Sequence, residues 1–459
     1  MQAYREECDS IGARLIPNEA YYGIQSLRGA ENFNITGKRI HSELTRAIVE
    51  LKKAAAITNR EAGVYDSRVA DAIVMACNEI LGGKFLENFI TDAIQGGAGT
   101  SVNMNANEVI ANRAIELLGG SKGNYKIVHP NDHVNCGQST NDVIPSAGRI
   151  ATVRLLMNAV ESITKLQAAF VEKADEFSDI IKMGRTEMQD AVPISFKQVF
   201  GAYASALARD IKRFNIAIEE MSVINMGGTA IGTSINAHPD YIKKIVTNVE
   251  KVTGLKFAQA EDLVDATQNL DSFVFVSGMV KSCAVTLSKI AGDIRLMSSG
   301  PRTGFGEIII PSKQNGSSIM PGKVNPVMPE VMNQVAFNII GNDTTITLAA
   351  EAGQLELNAF EPVLFYRLFE SIDTLRNGIE VFRTECVEGI TVNATKCRND
   401  VQNSIGIVTA LCPYIGYTEA ARIAKRAMRE ERSVRSIAIE ENLIPAAKLD
   451  KLLDPATMI

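Results

Sequence analysis

One apolar stripe runs through residues 150–176: Val153, Leu156, Met157, Val160, Ile163, Leu166 and Phe170 recur at spacings of three and four. That is the period of a helix with one buried face. Residues 271–298, 329–350 and 361–388 repeat the behaviour, with no proline after their starts. Pro329 and Pro362 stand where a first helical turn accepts the missing N–H. Several long helices of similar length predict an all-α chain built around a helix bundle. Strand-like alternation is scarce, and only short hairpins are expected, near the N-terminus around residues 33–37. Phe273, Val274, Phe275, Val276 and Val280 make one helix apolar most of the way round. Such a helix belongs in a thick core or against other subunits.

With 459 residues the chain exceeds one simple core, and about three domains are expected. The net charge of −6 excludes nucleic acid as the main partner, while leaving room for a local site that binds a small anion. Cys8, Cys77, Cys136, Cys283, Cys386, Cys397 and Cys412 are scattered, odd in number and without a CxxC, which fits reduced thiols in the cytoplasm. Cys136 is read as a small buried thiol rather than a nucleophile. No signal peptide is evident, and no run of about 18 apolar residues predicts a membrane span. The four histidines, His41, His129, His133 and His238, show no metal-ligand spacing, so no metal is expected.

Residues 316–326, Gly-Ser-Ser-Ile-Met-Pro-Gly-Lys-Val-Asn-Pro, combine two adjacent hydroxyls, a lysine and an amide with two glycines and two prolines. The glycines permit sharp turns and the prolines oppose regular structure. Backbone N–H groups in such a loop are free to face a ligand, beside the charge of Lys323. A serine there can serve as nucleophile, as base or only as a turn residue; composition does not decide between them.

The run GSSIMPGKVNP resembles the signature loop of the aspartase/fumarase superfamily. Residues 97–108 (GAGTSVNMNANE), 129–142 (HPNDHVNCGQSTND), 184–191 (GRTEMQDA) and 341–343 (GND) resemble further blocks of the family, in the same order. The likeness runs from about Pro17 to the C-terminus. It implies a three-domain fold, with residues 1–139 mostly helical, 140–393 forming a long-helix bundle with a flexible loop near 312–326, and 394–459 forming a small helical domain. It also implies a homotetramer whose bundles form one core and whose active sites are shared between subunits, with no cofactor.

The family's reaction is elimination: a proton leaves the carbon next to a carboxylate, and an amine or hydroxyl leaves the adjacent carbon. The resemblance assigns the base to Ser317 and substrate contacts to Thr100, Ser139, Thr140, Asn141, Thr186, Glu187, Lys323, Asn325 and Arg28. His133, Ser318 and Met320 are expected to support the site. The stretches TAIGT (229–233), DATQN (265–269) and EAGQLELN (351–358) resemble the branch that releases ammonia from L-aspartate more than the class II fumarases. Glu187 departs from the histidine or glutamine expected there, and a carboxylate facing a substrate carboxylate is repulsive. A related, cationic amino acid is therefore an alternative substrate. A structural protein on the same fold would have no need of Ser317, Lys323 and Asn325.

Overall fold

The computed structural model of the chain describes residues 3–459. The N-terminal hairpin pairs β1 (Tyr4–Asp9) with β2 (Gly12–Pro17). Then come α1 (Ile24–Asn32), α2 (Ser42–Glu61), α3 (Ser67–Leu81) and α4 (Thr100–Leu117). A π-turn at Pro130–Val134 leads into α5 (Thr140–Glu176). The hairpin β3 (Ile181–Thr186) and β4 (Gln189–Ser195) precedes α6 (Phe196–Met221). Next are β5 (Val223–Ile224), α7 (Pro239–Thr253), β6 (Ala258–Gln259), α8 (Leu263–Gln268), α9 (Asp271–Met297) and β7 (Ile308–Ile309). The last two long helices are α10 (Val327–Glu351) and α11 (Glu361–Glu385). After β8 (Thr391–Val392) come short helices, from α12 (Ala394–Asn403) through α13 (Cys412–Ile415), α14 (Tyr417–Glu430) and α15 (Val434–Glu440) to α16 (Ala446–Leu452).

The chain is thus helical with four two-stranded pairings among the described residues, as the periodicity predicts. It groups into two compact units. One holds residues 1–160, 213–281 and 338–374; the other holds 161–212, 282–337 and 375–459. Every passage between them lies inside α5, α6, α9, α10 or α11. In the second unit, α12 to α16 build a small core of their own from Val401, Leu411, Ile423, Ile437 and Leu449, with Met183 of β3 among them.

Two expectations require correction. Residues 33–37 form no hairpin, because their amides find a carboxylate instead of a strand. Ile35, Thr36 and Gly37 all donate backbone N–H to Asp92 at 2.8–3.3 Å. α5 starts ten residues earlier than its stripe and contains Pro145. The carbonyl that a residue-145 N–H would have bonded, that of Asn141, accepts the side-chain amide of Asn225 at 3.1 Å, so the helix continues. By length and composition alone α9 could cross a membrane, although it has no uninterrupted apolar run. Lys281 at its centre pairs with Asp343 of α10 at 2.6 Å, and Ser277 donates to the same carboxylate at 2.7 Å. A lipid-facing helix would bury such a charge at high cost.

The apolar faces of the long helices are only partly covered. Phe273, Val276 and Val280 of α9 are buried, whereas Val285 of the same helix is 52% exposed. Phe337 and Leu348 of α10 are 63% and 62% exposed. Single exposed apolar side chains are ordinary, but rows of them along long helices mark a surface that expects a partner.

Candidate active site

The first unit gathers one group of donors where α4 and α5 begin. A cavity of about 370 Å³ is lined by Asn103, Asn135, Gln138, Ser139, Thr140 and Thr229, among others. Ser139 precedes α5 and its hydroxyl oxygen accepts the N–H of Asn141 at 3.2 Å, which satisfies one orphan donor of the helix start. Thr140 accepts the side-chain amide of Asn103 at 3.1 Å. Asn141 is not itself in the lining but donates to the carbonyl of Ala230, which is, at 2.7 Å. Thr100 opens α4 and donates to the carbonyl of Gly97 at 2.7 Å; it lies outside that lining too.

Sequence reasoning missed the charges beneath this cavity. Asp142 is fully buried; its carboxylate accepts the backbone N–H groups of Ser139, Gly227 and Thr229 at 2.8–3.2 Å. Burial outweighs those bonds and pushes its pKa up to about 6. Lys52 of α2 is also fully buried, and its ammonium donates to Asn135 and Gln138. Desolvation lowers its pKa to about 7. The one signal in the sequence was the density of amide side chains in the two motif blocks; nothing local distinguishes Lys52 from a surface lysine.

Arg28 is engaged within the first unit. Its guanidinium holds Asp9 at 2.8 and 3.0 Å and donates to the carbonyl of Gly12 at 2.8 Å. The carboxylate it meets here comes from the β1–β2 turn, where Asp9 also caps Ile11 and Gly12. His133 supports its own loop: its Nδ1 accepts the N–H of His129 at 2.8 Å, its ring lies edge-on to Tyr65, and burial lowers its pKa. Burial raises the pKa of Cys136, against any role as a nucleophile. Among the described residues no three His, Cys, Asp or Glu side chains gather as metal ligands, and all seven cysteines are free.

The second unit carries the other donors. Glu187 and Met188 form the two-residue tip of the β3–β4 hairpin, with φ of 52° and 67°. Two positive φ values match the twist of a tight hairpin turn, at a strain cost that glycine would avoid. Glu187 is exposed there. Arg185, one pair in from that tip, reaches the buried Glu307 at 2.5 Å and lies over the Phe305 ring. Lys182 approaches the same carboxylate at 3.0 Å. Thr186 and Glu187 line a cavity of about 800 Å³ that includes none of the loop residues 316–326.

In that loop the Ser317 hydroxyl oxygen accepts two backbone N–H groups, from Ile319 at 3.2 Å and Met320 at 3.0 Å. Negative charge on this oxygen would meet two donors already aimed at it. The loop is pinned at its neck. Gly316 donates to the carbonyl of Lys323 at 3.0 Å, and the Asn325 side chain donates to the carbonyl of Gly316 at 2.8 Å. Asn325 thus holds the loop closed on itself. Ser318, Met320 and Lys323 lie on the same excursion, with Met320 and Lys323 exposed.

The first unit thus carries hydroxyls at the starts of α4 and α5, and the second a serine oxygen that accepts two amides on a pinned loop. Residues 12–341 match the family described as "Lyase", and residues 407–459 that described as "Fumarase C C-terminus". The chain belongs to the aspartase/fumarase superfamily of lyases. Within it the likeness is uneven. An aspartate ammonia-lyase from Bacillus sp. is 51% identical over 454 residues, which cover 99% of this chain and 97% of that one. The crystal structure of a fumarate lyase:delta crystallin from Brucella melitensis bound to cobalt superposes with a TM-score of 0.96 at 46% identity, covering 99% of each chain. A class II fumarase from Schistosoma mansoni gives a TM-score of 0.95 at only 34% identity, covering 99% of this chain and 98% of that one. Near-equal TM-scores at 46% and 34% identity show that the backbone alone does not distinguish these two structural relatives.

Proposed function

We infer that this chain is a carbon–nitrogen lyase that reversibly eliminates ammonia from L-aspartate to give fumarate. The observation that carries the inference is half-identity to an aspartate ammonia-lyase along nearly the full length of both chains. Ser317 is the base that takes a proton from Cβ of L-aspartate, next to the β-carboxylate; the electron pair passes into that carboxylate and then returns to form the double bond as the Cα–N bond breaks and ammonia leaves, while the amide pair of Ile319 and Met320 stabilises the alkoxide form of the serine. As that proton leaves, the adjacent carboxylate becomes a dianionic aci-acid, the hardest charge to accommodate. Lys323 supplies positive charge, and Thr100, Ser139, Thr140, Asn141 and Thr186 supply neutral donors, once a closed loop has excluded water. Asn325 exchanges its bond to Gly316 for one to substrate.

The active form is a homotetramer with composite sites, residing in the cytoplasm. Exposed apolar rows on α9 and α10 support the assembly, and seven free cysteines support a reducing compartment. Ultraviolet detection of fumarate tests the reaction, with L-aspartate, L-malate and cationic amino acids in parallel. Fumarate from malate but not aspartate moves the chain to the fumarases. Turnover of a cationic amino acid alone identifies Glu187 as the residue that redirects the site.

A further inference from the structure

Lys52 is a buried cation that the elimination chemistry does not use. It sits in α2 with no exposed surface, and its ammonium donates to Asn135 Oδ1 at 2.7 Å and Gln138 Oε1 at 3.0 Å. An ammonium has three donors and no acceptor, so both amides must turn their oxygens toward it. Their nitrogens then face the other way: Asn135 donates to the carbonyl of Gln138, and Gln138 to those of Val134 and Cys136. The same Asn135 oxygen accepts one N–H of Asn103 at 3.2 Å, which fixes the orientation of that third amide. The remaining N–H of Asn103 goes to Thr140 Oγ1 at 3.1 Å. Thr140 is thereby an acceptor on its inner side, and its own proton is turned away from Asn103, as a donor.

We propose that Lys52 is a positioning residue: through Asn135 and Asn103 it sets the hydrogen-bond polarity of Thr140, so that the wall of the cavity at the start of α5 offers donors to a substrate carboxylate. The proposal rests on the ammonia-lyase reading of that cavity. Without a donors-only group at position 52, each amide could reverse, and Thr140 could present a lone pair to the carboxylate instead. The titratable groups that face Lys52 are Asp142 from α5 and Cys77 from α3. Tyr241 of α7, Tyr65 and Cys136 adjoin Asp142. Burial raises all of these thiols and phenols, leaving Asp142 as the one counter-charge. α4 contributes the neutral Asn103. Desolvation also favours loss of the Lys52 proton, so the relay carries a pH limit of its own.

The test compares Lys52→Met and Lys52→Arg in the full-length enzyme, with fumarate formation from L-aspartate as the assay and circular dichroism and sedimentation as folding controls. Lys52→Met should lower kcat/KM at least ~100-fold with unchanged assembly. Lys52→Arg, another donors-only group that keeps its charge at all working pH values, should recover at least tenfold of that loss. It should also move the alkaline limb of the kcat/KM profile upward by about one pH unit or more. If Lys52→Met fails to fold, the limb of Lys52→Arg alone decides. A folded Lys52→Met within threefold of wild type, or a Lys52→Arg limb that stays in place, overturns the proposal. Wild type inactive on L-aspartate would overturn the reaction assignment on which the proposal depends, and that outcome is distinct from both.

Discussion

Gly316→Ala separates loop geometry from loop chemistry. A Cβ on Gly316 would lie 2.8 Å from the Asn325 nitrogen and 2.9 Å from the Lys323 carbonyl carbon, and nearer still to the Lys323 oxygen. All three are backbone atoms, which cannot rotate aside as a side chain could. Ordinary contact is about 3.5–4.0 Å, so the two sides of the neck must part by roughly 1 Å. That breaks the Gly316 N–H bond to Lys323 and weakens the Asn325 bond to Gly316. Each contributes about 1 kcal/mol net. The loop is largely exposed, so global stability should fall by no more than ~1–2 kcal/mol. Activity should fall far more, because Ser317 adjoins the displaced residue and a misplacement of about 1 Å costs about 10²-fold in rate. The assay is the initial rate of fumarate appearance beside thermal unfolding of the same samples. Gly322→Ala is the control: its φ is +81° but nothing lies within 4 Å of the new Cβ, so only a strain of about 1 kcal/mol enters. Should Gly316→Ala keep kcat/KM within threefold of wild type, the pinned neck has no part in catalysis.

Ser317→Ala should abolish turnover, at least ~10² to 10⁴-fold, with substrate binding retained; mixing it with inactive Thr140→Ala and allowing subunit exchange should restore partial activity if the two residues meet across chains. No recovery after proven exchange would place them in one chain. Glu108 accepts the N–H groups of Gly23, Gln25 and Ser26 and the Ser26 hydroxyl, yet burial raises its pKa from 4.5 to about 7. Its stabilisation is therefore complete below pH 4.5 and lost as pH rises through 7. The Tm of Glu108→Gln relative to wild type should accordingly improve from pH 5 to pH 8, and a constant difference would contradict this. Gly148→Ala drives a Cβ into the Phe365 ring, 3.0 Å from Cε2 and closer to two other ring carbons; calorimetry should show a loss of about 1–3 kcal/mol, and an unchanged Tm would show that the ring can move.

The long helices were legible because their signal is periodic and local. The early prolines Pro329 and Pro362 located the starts of α10 and α11 within two residues, and the stripe from Val153 to Phe170 located α5 but not its first ten residues. The loop 316–326 was legible for the same reason, being one contiguous run. What failed depended on partners distant in sequence. The stripe starts α5 near residue 150, and the helix begins earlier because Asn225 supplies the donor that Pro145 lacks. Arg28 reads as a free cation until the hairpin turn brings Asp9 to it. Residues 33–37 read as a strand until Asp92 takes their amides. Lys52 sits beside Lys53 in a helix of mixed polarity, and no spacing rule distinguishes the lysine that is enclosed from one that is not.

The sequence by itself determined the helical class, the elimination chemistry of the family and the identity of the serine loop. The tertiary structure decided which donors remain available. A hydroxyl, amide or guanidinium that the fold has already satisfied must exchange that partner to meet a ligand, and which groups are satisfied depends on neighbours that can lie tens or hundreds of residues away. Asn325 is engaged by Gly316, Arg28 by Asp9 and Asn141 by Ala230, whereas Ser317 receives two amides and Thr140 is turned by a buried lysine.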